Sequence, residues 1–230
     1  DAGPGPAARG AAPGVRWRRS PCAPASAAAA FRGTGHLNPA PGPEAARAGP
    51  ATWYPAYVAV GSNLDDPEVQ VRAAFAALAS LPGTRLVARS SCWRNPAVGP
   101  GPQPDFVNAV AGLLTRLAPA ELLAALLGIE RRQGRDRSSG VRWGPRRIDL
   151  DLLVHGTTVL DSADLVLPHP RMASRNFVLF PLLEIAPGLD VPGHGPVAQL
   201  AARLRHHQQE EPQQAGTPWA IPVTSPSKAP

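Results

Sequence analysis

Between Arg147 and Val154 the chain reads RIDLDLLV, with Arg147, Asp149 and Asp151 at alternate positions and Ile148, Leu150, Leu152 and Val154 at the intervening ones. Successive side chains of an extended strand point to opposite faces. The segment therefore predicts a strand with one apolar face against a core and one charged face turned away from it. The same geometry makes Asp149 and Asp151 neighbours, with Cα atoms roughly 6.5–7 Å apart. Uncompensated, the two carboxylates would repel by about 1 kcal/mol or more at an effective dielectric near 20. A solvated edge strand is the plain explanation, although Asp is disfavoured there. The other explanation is a hard divalent cation, which takes carboxylate oxygens and leaves its remaining positions to water and phosphates. A pair of such ions could be bridged and flanked by these two residues.

The charge just upstream favours the cation. Arg131, Arg132, Arg135, Arg137, Arg142, Arg146 and Arg147 fall within 17 residues and are opposed only by Asp136. That window carries +6, whereas the rest of residues 54–205 is net −3. A solvated basic face is the simplest reading of such a run. Its functional readings are a nucleic-acid surface or a polyphosphate clamp, because the guanidinium fork matches phosphate oxygens. A carboxylate pair directly after the arginines provides for anions and cations together, as a nucleoside triphosphate requires. Neither a Walker loop nor a kinase-type glycine loop occurs, and Lys228 is the sole lysine. Arginine and metal would then neutralise the phosphates, with catalysis by positioning and charge neutralisation.

Composition locates the domain. Pro and Gly account for 51 of 230 residues, against an average usage of roughly 12%. Residues 1–50 alone hold 9 Pro, 8 Gly and 15 Ala, too little apolar surface to offset the entropy of ordering. We expect residues 1–53 and 206–230 to be disordered tails flanking one domain, 54–205, that is long enough for a real core. No apolar run is long enough to span a bilayer, so no membrane partner is expected. Cys22 and Cys92 alone make neither a disulfide framework nor a zinc site, which fits a reduced, cytoplasmic setting. Six Arg against Asp1 and Glu44 in the first tail superficially suit a transit peptide, but Arg replaces Lys along the whole chain.

Turn signals and periodicity give the order of elements. Tyr57 to Val60 reads as a strand, and Asp66-Pro67 as an N-cap followed by the first helical residue. Val71, Phe75 and Leu78 then share one helical face, closed by Pro82-Gly83. Leu86 to Arg94 reads as a second strand, and residues 95–104 as a loop ordered by the restricted φ of its prolines. Phe106 to Leu114 is a third strand, with Phe106, Asn108 and Val110 on one face. A second helix runs from Pro119 to Arg132 and stops at Gly134. Ser174 to Ile185 looks helical, interrupted by Pro181. The order β-α-β-β-α-β predicts an α+β fold, a ferredoxin-like α/β sandwich with an antiparallel sheet and C-terminal additions.

Six blocks in order carry a resemblance: GSNL (61–64), QPDFVN (103–108), ERRQGRDR (130–137), RWGPRRIDLD (142–151), PHPR (168–171) with RNFV (175–178), and PLLEIAP (181–187). Over about residues 54–204 they closely resemble the 6-hydroxymethyl-7,8-dihydropterin pyrophosphokinase family of folate biosynthesis. The resemblance implies transfer of the β,γ-pyrophosphoryl group of ATP, the co-substrate, to the pterin hydroxymethyl, releasing AMP, with two Mg²⁺. It implies Asp149 and Asp151 as metal ligands, and Arg135, Arg146 and Arg175 on the phosphates. Glu130 and His169 would lie by the nucleotide, and Trp143 would cover the closed site from its loop. Phe106 and Phe177 would sandwich the pterin, Asn108 would hydrogen-bond its edge, and backbone groups of Ala97 and Val98 would read the rest. Two positions depart from the family pattern: Asp65 stands where Gly is typical, and Asn95 replaces a common Thr in the pterin loop while keeping its hydrogen-bonding ability.

Rival readings exist for several of these residues. Phe106 and Phe177 could be plain core aromatics, but Phe106 shares its strand face with polar Asn108, which a dry core would leave unpaired. A flat heterocycle between two rings, fixed by an amide, satisfies both. For the whole chain the alternative is a ferredoxin-like nucleic-acid-binding module using the Arg131–Arg147 cluster. Such a module needs aromatic stacking residues on its sheet, whereas 5% of this chain is aromatic. The expected partners are therefore ATP and the pterin, with no nucleic acid, and the expected state is a monomer.

Overall fold

The computed structural model of the protein describes residues 52–97, 102–135, 144–210 and 221–222. The first of its elements are β1 (Tyr54–Ser62), α1 (Pro67–Ala79), β2 (Thr84–Arg89), β3 (Trp93–Asn95), β4 (Phe106–Thr115), α2 (Pro119–Arg132) and β5 (Asp149–His155). β4 pairs with β1 along one edge. Along its other edge it pairs with β2 over Ala111–Thr115 and with β3 over Phe106–Asn108. β5 pairs with the far edge of β1, and every one of these pairings is antiparallel. The fold is thus α+β on an antiparallel sheet, as expected.

The apolar side of the alternating segment accounts for the first core. Ile148, Leu150 and Leu152 pack with Val58 and Val60 of β1 and Val107 and Leu113 of β4, under Phe75 and Leu78 of α1 and Leu122, Leu126 and Ile129 of α2. Both helices begin where the sequence marks them. The Asp66 carboxylate accepts the Val69 N–H at 3.4 Å ahead of Pro67, and Glu121 accepts the Ala118 N–H at 2.8 Å ahead of the second helix. At the start of the domain the guanidinium groups of Arg85 and Arg116 lie over the Trp53 ring, at 4.8 and 4.6 Å from its centre.

The C-terminal part covers the opposite face. It comprises β6 (Leu160–Asp161), β7 (Val166–Leu167), a 3₁₀ turn (Met172–Ser174), α3 (Asn176–Ile185), β8 (Asp190–Val191), β9 (Gly195–Pro196), α4 (Val197–Glu210) and β10 (Ile221–Pro222). Met172, Val178, Leu179 and Leu182 join Val197, Leu200 and Ala201 over Val110, Leu153 and Val154 to form a second core. No helix among the described residues is long and apolar enough to cross a membrane.

The structure differs from the sequence expectations in several places, and α3 runs from Asn176 to Ile185 through Pro181 without the interruption expected there. The strand expected over Leu86–Arg94 breaks after Arg89. There the Ser90 N–H donates to the Val110 carbonyl at 2.9 Å while the Ser90 hydroxyl accepts the Val110 N–H at 2.8 Å, so a side chain replaces a ladder acceptor. Val154 does not share the face of Leu152. Tyr57 pairs with Val154 but Val58 with Leu152, so Leu153 is an extra residue, and the bulge turns Leu153 and Val154 together into the second core. Finally, α4 continues past Arg205 to Glu210, and Ile221 and Pro222 pair with Arg94 and Trp93, where a disordered tail was expected. The remainder of both expected tails, residues 1–51, 211–220 and 223–230, lies outside the described residues.

Leu113 is 1% exposed on the central strand. Leu113→Ala should cost about 2–5 kcal/mol, measured as a lower urea midpoint with an unchanged denaturant slope.

Candidate active site

Strand register lines up one row of residues across the sheet. Trp93 on β3 is opposite Asn108 on β4, Asn108 is opposite Gly61 on β1, and Gly61 is opposite Asp149 on β5. Laterally paired residues share a face, and Asp151 shares it as well, two positions further along β5. Gly61 keeps the middle of the row open. A Cβ there would stand 2.7 Å from Asn108 Oδ1, closer than any side chain tolerates. The floor of the site is therefore a polar amide on one side, bare backbone in the middle and a carboxylate pair on the other.

Positive groups converge on the carboxylates from three parts of the chain. Arg135 follows the left-handed Gly134 (φ 80°) at the end of α2 and donates through Nη1 to Asp149 Oδ1. Arg146, just before β5, donates to Asp149 Oδ2 at 2.6 Å. Arg175, at the start of α3, places Nη1 3.6 Å from Asp151 Oδ2, and His169 Nε2 lies 4.0 Å from the same oxygen. Two of these arginines also cover aromatic rings. Arg146 lies 5.5 Å from the centre of the Phe106 ring and Arg175 lies 5.7 Å from that of Phe177. Each carboxylate is thus tied to a guanidinium that is itself stacked on a phenyl ring.

Protonation follows from this crowding. Burial, reinforced by the charge of Asp149, raises the Asp151 carboxyl to about 6 even with Arg175 beside it. Burial, then Arg175, lowers His169 to about 4. The His169 Nδ1 accepts the Arg171 N–H at 3.1 Å, so the neutral ring carries its proton on Nε2, the nitrogen nearer Asp151. Burial opposes the charge on Arg135, but Asp149 and Glu130 outweigh it and hold the guanidinium more firmly protonated.

The remaining expected residues fall into place unevenly. Asn108 donates to the Asn95 Oδ1, and Asn95 in turn donates to the Pro96 carbonyl at 3.1 Å, so the amides are linked at the mouth of the loop where Ala97 is half-buried. Glu130 sits deeper than expected. It is 1% exposed, and its Oε1 accepts the Leu150 N–H at 2.8 Å as well as Arg135. It therefore reaches the site through Arg135 and fixes the end of α2 to the start of β5. Val98 and Trp143 lie outside the described residues. The arginine cluster is divided: Arg135 and Arg146 reach the carboxylates, Arg147 pairs with Asp65, and Arg131 and Arg132 border a groove between α1 and α2 beside Ala77, Leu81 and Gly128.

Asn63 is a site residue that sequence reasoning missed. It is 1% exposed, its Oδ1 accepts the Arg146 N–H at 2.7 Å, its own N–H donates to the Arg146 carbonyl at 3.1 Å, and its Nδ2 donates to the Pro104 carbonyl at 3.1 Å. One side chain thereby registers the arginine segment against the end of the 96–105 loop. Its signal was the block GSNL, which carries a resemblance but no chemistry of its own.

Two carboxylates make an incomplete metal cage. No cluster of three or more His, Cys, Asp or Glu that could hold a metal occurs among the described residues. Such a donor set suits a hard cation that fills its other positions with water and phosphate oxygens. Arginines converging on a carboxylate pair are the chemistry that a nucleotide-dependent transferase uses on a polyphosphate and its cation.

Comparison with known proteins narrows this class. The family described as 7,8-dihydro-6-hydroxymethylpterin-pyrophosphokinase (HPPK) matches residues 57–187, and the chain belongs to it. The 2-amino-4-hydroxy-6-hydroxymethyldihydropteridine pyrophosphokinase of Pseudomonas aeruginosa is 49% identical over 146 residues, covering 64% of this chain and 89% of that protein. Its namesake from Haemophilus influenzae is 42% identical over 153 residues, covering 66% and 94%. That from Synechocystis is 38% identical over 187 residues, covering 76% and 94%. Among solved structures, Plasmodium falciparum HPPK-DHPS with pterin and p-hydroxybenzoate matches at a TM-score of 0.55 and 11% identity, over 70% of this chain. This chain spans 45% of that longer one, and the likeness concerns the fold alone.

Asp151 and His169 pull stability in opposite directions with pH. Asp151 binds its proton more tightly folded than unfolded, so it lowers stability as pH rises from about 4 to 6. His169 binds its proton less tightly folded, so it raises stability as pH rises from about 4 to 6.5. In metal-free protein, the melting profile of Asp151→Asn should therefore rise with pH relative to wild type across this window. That of His169→Gln should fall.

Proposed function

We propose that the protein transfers the β,γ-pyrophosphoryl group of ATP to the hydroxymethyl oxygen of 6-hydroxymethyl-7,8-dihydropterin, giving AMP and the pterin diphosphate in folate biosynthesis. A bond forms between that oxygen and the β-phosphorus, the bond from the β-phosphorus to the AMP oxygen breaks, and the hydroxyl proton is released to solvent. The observation that carries the reading is the convergence of Arg135, Arg146, Arg175 and His169 on the Asp149–Asp151 pair, with Phe106 and Phe177 under two of those arginines. The frame around it is, in this reading, a ferredoxin-like sandwich within residues 54–205, extended at its C-terminus.

The chain's own residues bind and orient. Arg135, Arg146 and Arg175, which contact carboxylates here, are placed to turn their guanidinium forks to phosphate oxygens. His169, neutral with its proton on Nε2, donates to the nucleotide. Glu130 acts by holding Arg135. Phe106 and Phe177 take the two faces of the pterin ring, Asn108 and Asn95 bond its edge, and the backbone at Ala97 and Val98 completes the pocket. Trp143 covers the nucleotide. Asp149 and Asp151 would hold Mg²⁺, two ions in this reading, which supply charge neutralisation on the phosphates being transferred. A nucleic-acid face fits less well, because the described arginines of the basic cluster point to three separate places.

Product identity tests the reading. With ATP, Mg²⁺ and the reduced hydroxymethylpterin, chromatography should show AMP and no ADP, and ADP would overturn it. Asp149→Ala and Asp151→Ala should each lower turnover by about 100-fold or more without changing the far-ultraviolet circular dichroism.

A further inference from the structure

Glu184 lies in the PLLEIAP block, and its exposed side chain takes no part in the chemistry described above. On a helix surface such a glutamate is ordinarily solvated. This one is occupied. The Ser91 N–H donates to both carboxylate oxygens at 3.1 Å, the Ser91 hydroxyl donates to Oε1 at 2.7 Å, and the Trp93 Nε1–H donates to Oε2 at 3.4 Å. The partners are about 90 residues apart in the chain and sit where β2 gives way to β3. The strand break takes the Ser91 N–H out of the ladder, and the carboxylate supplies the missing acceptor with a charge-assisted bond.

Both ends of this clasp connect to the pterin walls. On the sheet side, Trp93 heads the row that continues into Asn108, Gly61 and Asp149, and Asn95, two residues on, is bonded to Asn108. On the helix side, Phe177 lies seven positions before Glu184 in α3, two turns along the same face. Phe180 on that face meets the Trp93 ring at a centroid distance of 6.0 Å. The helix runs through Pro181 with Phe177 near one end and the clasp at the other.

We infer that Glu184 is a positioning residue that sets the gap between the Phe177 wall and the Asn95–Asn108 wall, and so tunes affinity for the pterin and not for ATP. The inference rests on the pterin reading above. Glu184→Ala should raise the KM for the pterin by about tenfold while leaving the KM for ATP within about twofold. Glu184→Gln, whose carbonyl still accepts from Ser91 but whose amide nitrogen cannot accept from Trp93, should recover part of the loss. Amide exchange over residues 90–95 should quicken in the alanine variant while α1 and α2 keep their protection. An unchanged pterin KM, both KM values rising alike, or unchanged exchange over residues 90–95 in the folded variant would each overturn the inference. If Glu184→Ala does not fold, Ser91→Ala removes the hydroxyl donor alone and should raise the pterin KM to a smaller extent, with no rise counting against the role. Wild-type turnover to AMP judges the pterin reading by itself, and the exchange measurement judges the clasp without it.

Discussion

Two like charges fixed on one face of a strand are the constraint around which the rest of this protein is arranged. The strand itself cannot move to separate them, because Ile148, Leu150 and Leu152 anchor it in the first core and the Leu150 N–H is held by buried Glu130. The relief has to come from outside β5. It comes as guanidinium groups, one from the end of α2, one from the segment ahead of the strand and one from the start of α3. Each arrives on a different element, so the carboxylate pair acts as the assembly point for parts of the chain that are otherwise remote. Burial and the neighbouring Asp149 still hold the Asp151 carboxyl above the ordinary carboxylate range.

Support behind the charges is as specific as the charges themselves. Glu130 accepts from both a strand amide and Arg135, and Asn63 bonds three backbone groups across the Arg146 segment and the Pro104 end of the loop. These buried polar groups lie between the first core and the site. A fully bonded network of this kind fixes side-chain directions that hydrophobic packing alone would leave free.

Much of this was legible in the sequence because it depends on local period and on residue type. The alternation in RIDLDLLV defines a strand and the placement of both aspartates, and Asp66-Pro67 and Gly134 mark helix ends through backbone rules that act over a few residues. What was not legible depends on the second face. Leu153 and Val154 both turn into the core beneath α3 and α4, a demand that comes from helices packed later in the chain and appears nowhere in the strand's own pattern. The break at Ser90 is likewise invisible to a period-two reading, since a serine hydroxyl there accepts a bond normally made by backbone. Glu130 and Asn63 carry no charge pattern that distinguishes a support residue from a ligand, and only their bonding partners do so.

The sheet's outer edge carries a last consequence. β3 is short, and its outward row of N–H and C=O groups would ordinarily remain open beside the 96–105 loop. Ile221 and Pro222 pair with it, bringing the C-terminal segment back against the sheet. A strand that ends in proline offers no amide hydrogen at that position to a further neighbour. The edge of the sheet thus passes from β3 to a two-residue strand, too short to offer a long template for pairing with another chain.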